Sequence, residues 1–520
     1  MDKEKLSQQL FKIKDLNTIL QESHDPSKRL KKVLGPLDLI LLGIGAIIGA
    51  GIFTVIGTAA AGDLVRPGAG PSIIASFALT AVACGFAALC YSEFAAMVPI
   101  AGSAYTYSYA TFGELIAWII GWDLMLEYTV ANIAVAISWS GYCTEFLRGF
   151  GIHLPAWATI DFRSAFQGFE KASTLLAHGI PFDQLNAGLQ KSWYAVHQAP
   201  HIFGMPLICN LPAFVIVSLI TTLLVIGIKE SARFTSVMVF IKLLVLAFFV
   251  VVGCFYVKPE NWTPFMPNGF DGIKTGAAIV FFAYIGFDAV STAAEESKNP
   301  KKDLPIGILG SLLICTVIYI IVSAIFTGIV PFSVLKDTLA SQKAEPLAFA
   351  MKHIHLNWAT GIVAAGALVA QTAVLLVMQL GQSRIFFSMS RDGLLPPVFS
   401  KVHEKFRTPY VTTIVTGLLV ALVASFTNID EMVDLTNIGT LFAFVLVCFG
   451  VIILRVKEPN KHRAFKVPLS PLIPLLGVAS CIFLMTGLPA VTWIRFVIWL
   501  LLGFVVYFTY SIKHSLLHKA

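Results

Sequence analysis

Three ionisable residues, Glu127, Lys242 and Asp288, stand inside stretches that are otherwise apolar. A charge at the centre of a membrane helix costs about 2.5–3.5 kcal/mol on insertion scales, so such groups face a cavity or one another. Lys242 is the one base among them; burial disfavours its charged form, so it can gain and lose a proton as its surroundings change. Glu127 shares a helical face with Asp123, one turn before it. A second chemical feature is the run Gly43-Ile44-Gly45-Ala46-Ile47-Ile48-Gly49-Ala50-Gly51, with four glycines. Glycine reaches strained conformations without a side-chain clash, so the run can open a helix and bare its N–H and C=O groups. Such a break offers donors to an anion and acceptors to a cation. Two plainer readings stand beside these. Gly45 and Gly49 also make a small-xxx-small packing face, and the ionisable residues also suit a structural ion pair.

The elements that position these groups follow from composition. Of 520 residues, 57% are hydrophobic and 13% charged, against roughly 25% charged in a soluble domain. Twelve apolar stretches recur, near 36–61, 71–98, 113–145, 207–228, 231–256, 273–295, 306–330, 358–383, 410–427, 432–454, 471–490 and 492–512. Each is long enough to cross a roughly 30 Å hydrocarbon layer as helix. Of the 37 Lys and Arg, 25 fall on segments that share one side if the N-terminus is inside. Basic inner loops set orientation, so both termini are expected in the cytoplasm. The net charge of +7 is then a signal of topology, and no nucleic-acid partner is implied. Lys242 lies eleven residues into its stretch, roughly 16 Å at the helical rise, near the midplane. Gly286 interrupts the aromatic stretch Phe281-Phe282-Ala283-Tyr284-Ile285 and Asp288 follows, a residue able to bond freed backbone. The first and sixth stretches therefore both look broken, five stretches apart, as an inverted repeat of five plus five helices would place them.

Other classes find little support. Gly43-x-Gly45 is followed by Gly49 with three residues between rather than two, and no flanking strand is present, so this is no dinucleotide fingerprint. All eleven histidines fall outside the apolar stretches, where a buried haem or metal centre would normally need one. No cofactor and no metal are expected; His353 and His355 sit alone in an outer loop. The eight cysteines lie in or at the ends of apolar stretches and read as small buried hydrophobes. Neither a membrane enzyme nor a channel built of residue rings is suggested. The first thirty-five residues set Leu6, Leu10, Ile13, Leu16 and Leu20 beside lysines, a pattern for a helix lying on the inner leaflet or for a solvated tail. The outer loop of 150–206 is long and has no assigned role.

The residues carry a resemblance. Lys32-Val33-Leu34-Gly35-Pro36 followed by the glycine run, then Tyr91-Ser92-Glu93-Phe94-Ala95, then Gly121-Trp122-Asp123-Leu124-Met125-Leu126-Glu127-Tyr128, occur in order. Ile285-Gly286-Phe287-Asp288 and Gly381-Gln382-Ser383-Arg384 through Asp392-Gly393 continue the series. Over roughly 30–510 the chain resembles the amino acid–polyamine–organocation superfamily, and within it the bacterial-type cationic amino acid transporter family. The resemblance implies an all-α integral membrane protein of twelve transmembrane helices in a leucine-transporter-like 5+5 inverted repeat. It divides into a tail (1–35), a ten-helix core (36–454), two added helices (455–512) and a short tail (513–520).

It also implies a site. The substrate carboxylate lies on N–H groups of Gly49, Ala50 and Gly51, and its ammonium on carbonyls of Ile47, Phe282, Ala283 and Ile285, with the Phe282 ring as a lid. Ala50 stands where many relatives have Ser or Thr, so one hydroxyl contact is missing. Lys242 matches a lysine that replaces a sodium ion, which implies a proton as coupling ion, with Glu127 and Asp288 shaping its field or the substrate's. Met378 stands where animal members carry a smaller residue and shortens the pocket toward small neutral amino acids. The expected function is thus an amino acid permease of the cell membrane, embedded in the lipid bilayer and taking up L-amino acids by secondary active transport, with a small accessory membrane subunit left open as a partner. The alternatives are a cationic amino acid transporter or exchanger, and a sensor that binds without net transport.

Overall fold

A chain surrounded by hydrocarbon must pair its backbone groups internally, which drives long apolar runs into helices. The computed structural model describes residues 10–13, 33–63, 65–97, 103–202, 204–227, 232–336, 345–406, 408–460 and 462–518. Among the described residues, eight helices are long and apolar enough to cross a bilayer, and a bent pair makes up a ninth. The bent pair is α1 (Pro36–Ile47) and α2 (Gly51–Ala61), turned by 41° at the glycine run. Then come α3 (Gly70–Met97), the short α4 (Ser103–Thr111) and the long α5 (Glu114–Gly149).

The segment 150–206 is not a bare loop. It folds as a helical pair, α6 (Phe162–Ala177) and α7 (Ala187–Gln198). Asp161 and Asn186 cap these helices by accepting from the N–H groups of Ser164 and Leu189 at 2.8 and 2.9 Å, as short polar side chains do at helix starts. Its small apolar cores centre on Ala165, Ala195 and Ile208, and on Ala172, Leu185 and Leu189.

Beyond it lie α8 (Leu211–Ile226), α9 (Ala232–Cys254), α10 (Gly269–Val280), α11 (Pro300–Ile329), α12 (Pro346–His353) and α13 (Asn357–Arg391). The chain ends with α14 (Tyr410–Phe426), α15 (Ile429–Lys457), α16 (Leu472–Met485) and α17 (Ala490–Val506). Three expected crossings, α8, α14 and α16, are apolar helices of 10–17 residues. The interior forms where α5 packs on α13 and α15, while α11 packs on α1 and α3 and α9 on α13. The outward faces stay apolar, with Leu219, Phe240, Val251, Leu313, Ile494 and Leu501 exposed, a surface suited to lipid.

At the end where residues 10–13 meet residues 515–518, buried Glu114 accepts from the hydroxyls of Tyr109 (2.9 Å), Tyr507 (3.1 Å) and Ser515. Lys12 donates to the Leu517 carbonyl at 2.5 Å. Most of the expected amphipathic tail lies outside the described residues.

Candidate functional site

Two chain breaks meet at the centre of the bundle, and glycine explains why. In the first, the Ile48 N–H closes α1 by donating to the Ile44 carbonyl at 3.0 Å, and Ile48 then turns extended, with φ −75° and ψ 105°. The Phe53 N–H donates to the Gly49 carbonyl at 3.3 Å, and α2 opens with a widened turn over Gly51–Val55. In the second, α10 gives way at Phe281 to a tighter helical turn, Ile285 turns extended, and Gly286 takes φ 117°, a region that strains any residue with a Cβ. A run of 3-10 turns, Asp288–Glu296, follows.

The breaks touch. A Cβ on Gly51 would run into the backbone of Ala283, and one on Gly286 would lie 2.9 Å from the carbonyl carbon of Ala46. Glycine is thus needed both for conformation and for approach.

Opened carbonyls need donors, and side chains supply several. Lys242, fully buried, donates from Nζ to the carbonyls of Gly45 (2.7 Å) and Ile48 (3.0 Å). The Tyr319 hydroxyl lies 3.1 Å from the Ile47 carbonyl and 2.8 Å from that of Ala283, so one proton spans both breaks. Tyr142 donates to the Phe53 carbonyl. Thr54 and Ser138 pair at 2.5 Å, and Gln371 Nε2 donates to the Ser138 hydroxyl at 2.7 Å. The N–H groups of Gly49, Ala50 and Gly51 stand at the start of α2, where a helix leaves its first donors unpaired and its dipole favours an anion. Val374 on α13 faces Gly49, its Cγ2 2.9 Å from where a Cβ would be. Met378, buried, follows one turn along α13, and the Phe282 ring is also buried.

The structure therefore brings Ile47, Gly49, Ala50, Gly51, Phe282, Ala283 and Ile285 together around the breaks, with Lys242 bonded to the first. Glu127 and Asp288 group elsewhere. Both are buried, and Glu127 lies within electrostatic reach of Asp288 and Asp123 and beside Thr440 of α15. Among the described residues no hydrogen bond or ion pair joins Lys242 to either carboxylate, so base and acids form two separate polar centres.

Sequence reasoning passed over several groups. Tyr319, Tyr142 and Ser138 look like ordinary residues in apolar stretches; a tyrosine hydroxyl that must find a partner in the membrane was the available signal. Arg66, past the end of α2, bonds part-buried Asp63 at 2.7 Å and Asp434 of α15 at 2.8 Å, and Arg66 and Asp434 are buried. Its position just after a broken span was a signal, but its partner on α15 was not readable.

Comparison with known proteins follows the same lines. The sequence model described as "Amino acid permease" matches residues 34–513. The chain is 49% identical to the branched-chain amino acid permease BcaP of Bacillus subtilis (strain 168), over 95% of this chain and 96% of that protein. It is 44% identical to the methylthioribose transporter of the same organism, over 98% of this chain and 99% of that one. With the vacuolar cationic amino acid transporter 4 of Arabidopsis thaliana it shares 34% identity, over 87% of this chain and 68% of the other.

Proposed function

We propose that this chain, which belongs to the amino acid permease family, moves neutral L-amino acids, from alanine to the branched-chain ones, across the cell membrane with a proton as coupling ion. It is an amino acid permease and a multi-pass membrane protein, as its family is, and its relatives are transporters and not enzymes. Our reading adds the substrate range, the coupling ion, the twelve crossings in a 5+5 repeat and the cytoplasmic placement of both termini.

The observation that carries the coupling is Lys242 Nζ held on the Gly45 and Ile48 carbonyls, at the end of α1 where the helix opens. A protonated amine ties α1 to α9 through these two bonds. Losing the proton removes the charge that strengthens them, so the position of α1 and the occupancy of Lys242 depend on each other. In the site, the substrate carboxylate sits on N–H groups of Gly49, Ala50 and Gly51. Its ammonium faces the carbonyls of Ile47, Phe282, Ala283 and Ile285. Tyr319 uses one lone pair of Ile47 and of Ala283, and each carbonyl keeps a second. Phe282, Val374 and Met378 make an apolar wall, which suits an aliphatic side chain and agrees with the substrate named for the 49% identical relative. A cationic substrate is the second reading, favoured by Glu127, which has no cationic partner among the described residues.

Proteoliposomes separate these readings. A pH step drives alanine accumulation in the wild type; Lys242→Met keeps counterflow and loses the pH-driven part. Full accumulation in that variant ends the coupling claim. Valine and leucine compete with labelled alanine better than arginine does, and the reverse order establishes the cationic reading. Met378→Ser enlarges the pocket and shifts the competition toward bulkier side chains. Binding without counterflow identifies a sensor.

A further inference from the structure

Resting on the proton-coupled reading above, we propose that Asp123 carries a second exchangeable proton, so that Asp123, Glu127 and Asp288 form a proton site separate from Lys242. Asp123 on α5 is fully buried, and neither carboxyl oxygen accepts a hydrogen bond. No ion pair reaches it among the described residues. Its opposite wall is Gly439 of α15, where a Cβ would come within 2.8 Å of Oδ1. Glycine there leaves room for the carboxyl and provides no donor.

Glu127 has the Thr440 hydroxyl of α15 beside it, Asp288 rests on backbone N–H groups at the Gly286 break, and the Tyr128 phenol lies within reach of both, whereas Asp123 has no donor. Glu127 is one turn along α5, and Asp288 heads the 3-10 run of the sixth span. Arg384 of α13 acts on Tyr128, on a neighbouring face of α5. Elsewhere along α4, the Tyr105 hydroxyl is engaged with Asp392 at 2.6 Å. An ionised carboxylate with neither donor nor counter-ion is too costly inside a bundle, and Glu127, within reach of both Asp123 and Asp288, adds repulsion. Among the described residues, no trio of His, Cys, Asp or Glu is grouped to hold a metal ion. The neutralising particle is therefore a proton on Asp123.

Its exchange follows from where Asp288 sits. That residue is two positions after the Gly286 break, on the half of the sixth span that moves if the break acts as a hinge, while Asp123 and Glu127 are fixed on continuous α5. When Asp288 recedes, the repulsion falls and the cluster releases a proton; when it returns, the proton is taken up again.

Infrared difference spectroscopy on the purified full-length protein tests this directly. Wild type should show a protonated-carboxyl band that Asp123→Asn lacks, and adding alanine should change the band in wild type alone. Identical spectra overturn the proposal whatever drives transport. In proteoliposomes each coupled proton is worth about tenfold in accumulation per unit of pH gradient. Asp123→Asn should therefore accumulate alanine about tenfold less steeply while keeping counterflow. A wild-type slope in Asp123→Asn overturns the proposal and leaves the Lys242 reading standing; loss of counterflow rescued by Asp123→Glu supports it, and loss without rescue overturns it. A wild type driven by sodium and not by protons, with an unchanged band on adding alanine, removes both.

Discussion

Gly49 and Gly51 are two residues apart, yet a methyl group would meet different neighbours at each. At Gly51 it would strike the backbone of Ala283, which cannot rotate away; at Gly49 it would meet a Val374 methyl at 2.9 Å, which can. Overpacking of an unyielding site costs about 1–3 kcal/mol. Gly51→Ala should therefore lower the melting temperature and remove most uptake, while Gly49→Ala keeps measurable uptake. Initial rates and melting curves of the two purified variants decide it, and equal losses would count against a backbone clash at Gly51. Lys242 illustrates how far single residues could be read. A lone lysine deep in an apolar stretch announces a functional amine, but only contact shows that its partners are two backbone carbonyls rather than Glu127 or Asp288.

At the level of elements, the two broken spans are bound to each other at more than the site. The N–H of Val33 donates to the Glu296 carbonyl and that of Lys298 to the Leu34 carbonyl, both at 2.9 Å. The start of α1 and the end of the 3-10 run are thereby joined through their backbones, and we expect them to move together. At the far end of α2, Arg66 ties the first span to Asp434 of α15, and Thr58 donates to Asp430 at 3.1 Å. Removing one partner of a buried pair costs about 3–5 kcal/mol, because the other charge is left stranded. Arg66→Met should thus loosen α2 from α15 and raise labelling of a cysteine placed at Thr58 in an otherwise cysteine-free protein. Unchanged labelling would mean that the pair does not hold this end closed.

For the whole molecule, charge and burial make a joint statement about orientation. The end at which Glu114 gathers Tyr109, Tyr507 and Ser515 also carries residues 10–13 and 515–518, and 25 of the 37 Lys and Arg fall on segments expected on that side. With native cysteines removed, Lys513→Cys should react with a membrane-impermeant thiol reagent only from the cytoplasmic side. Met205→Cys, at a residue 70% exposed beyond α7, should react only from the opposite side. Labelling of both from one side would refute the orientation.

What the amino acids settled alone was whatever depends on local composition. Apolar stretches of bilayer length, glycines crowded at Gly43–Gly51 and the interruption at Gly286 fix helices and their weak points, because a membrane allows few other ways to pair a backbone. The ordered motifs from Pro36 to Gly393 were enough to point to the family. What tertiary structure alone decided was which groups meet across hundreds of residues: Tyr319 between Ile47 and Ala283, Arg66 on Asp434, Asp123 facing Gly439 with no donor. Those pairings arise from helix packing, where each neighbour is chosen by shape and by the need to satisfy buried polar atoms, and neither requirement leaves a fixed spacing in the chain.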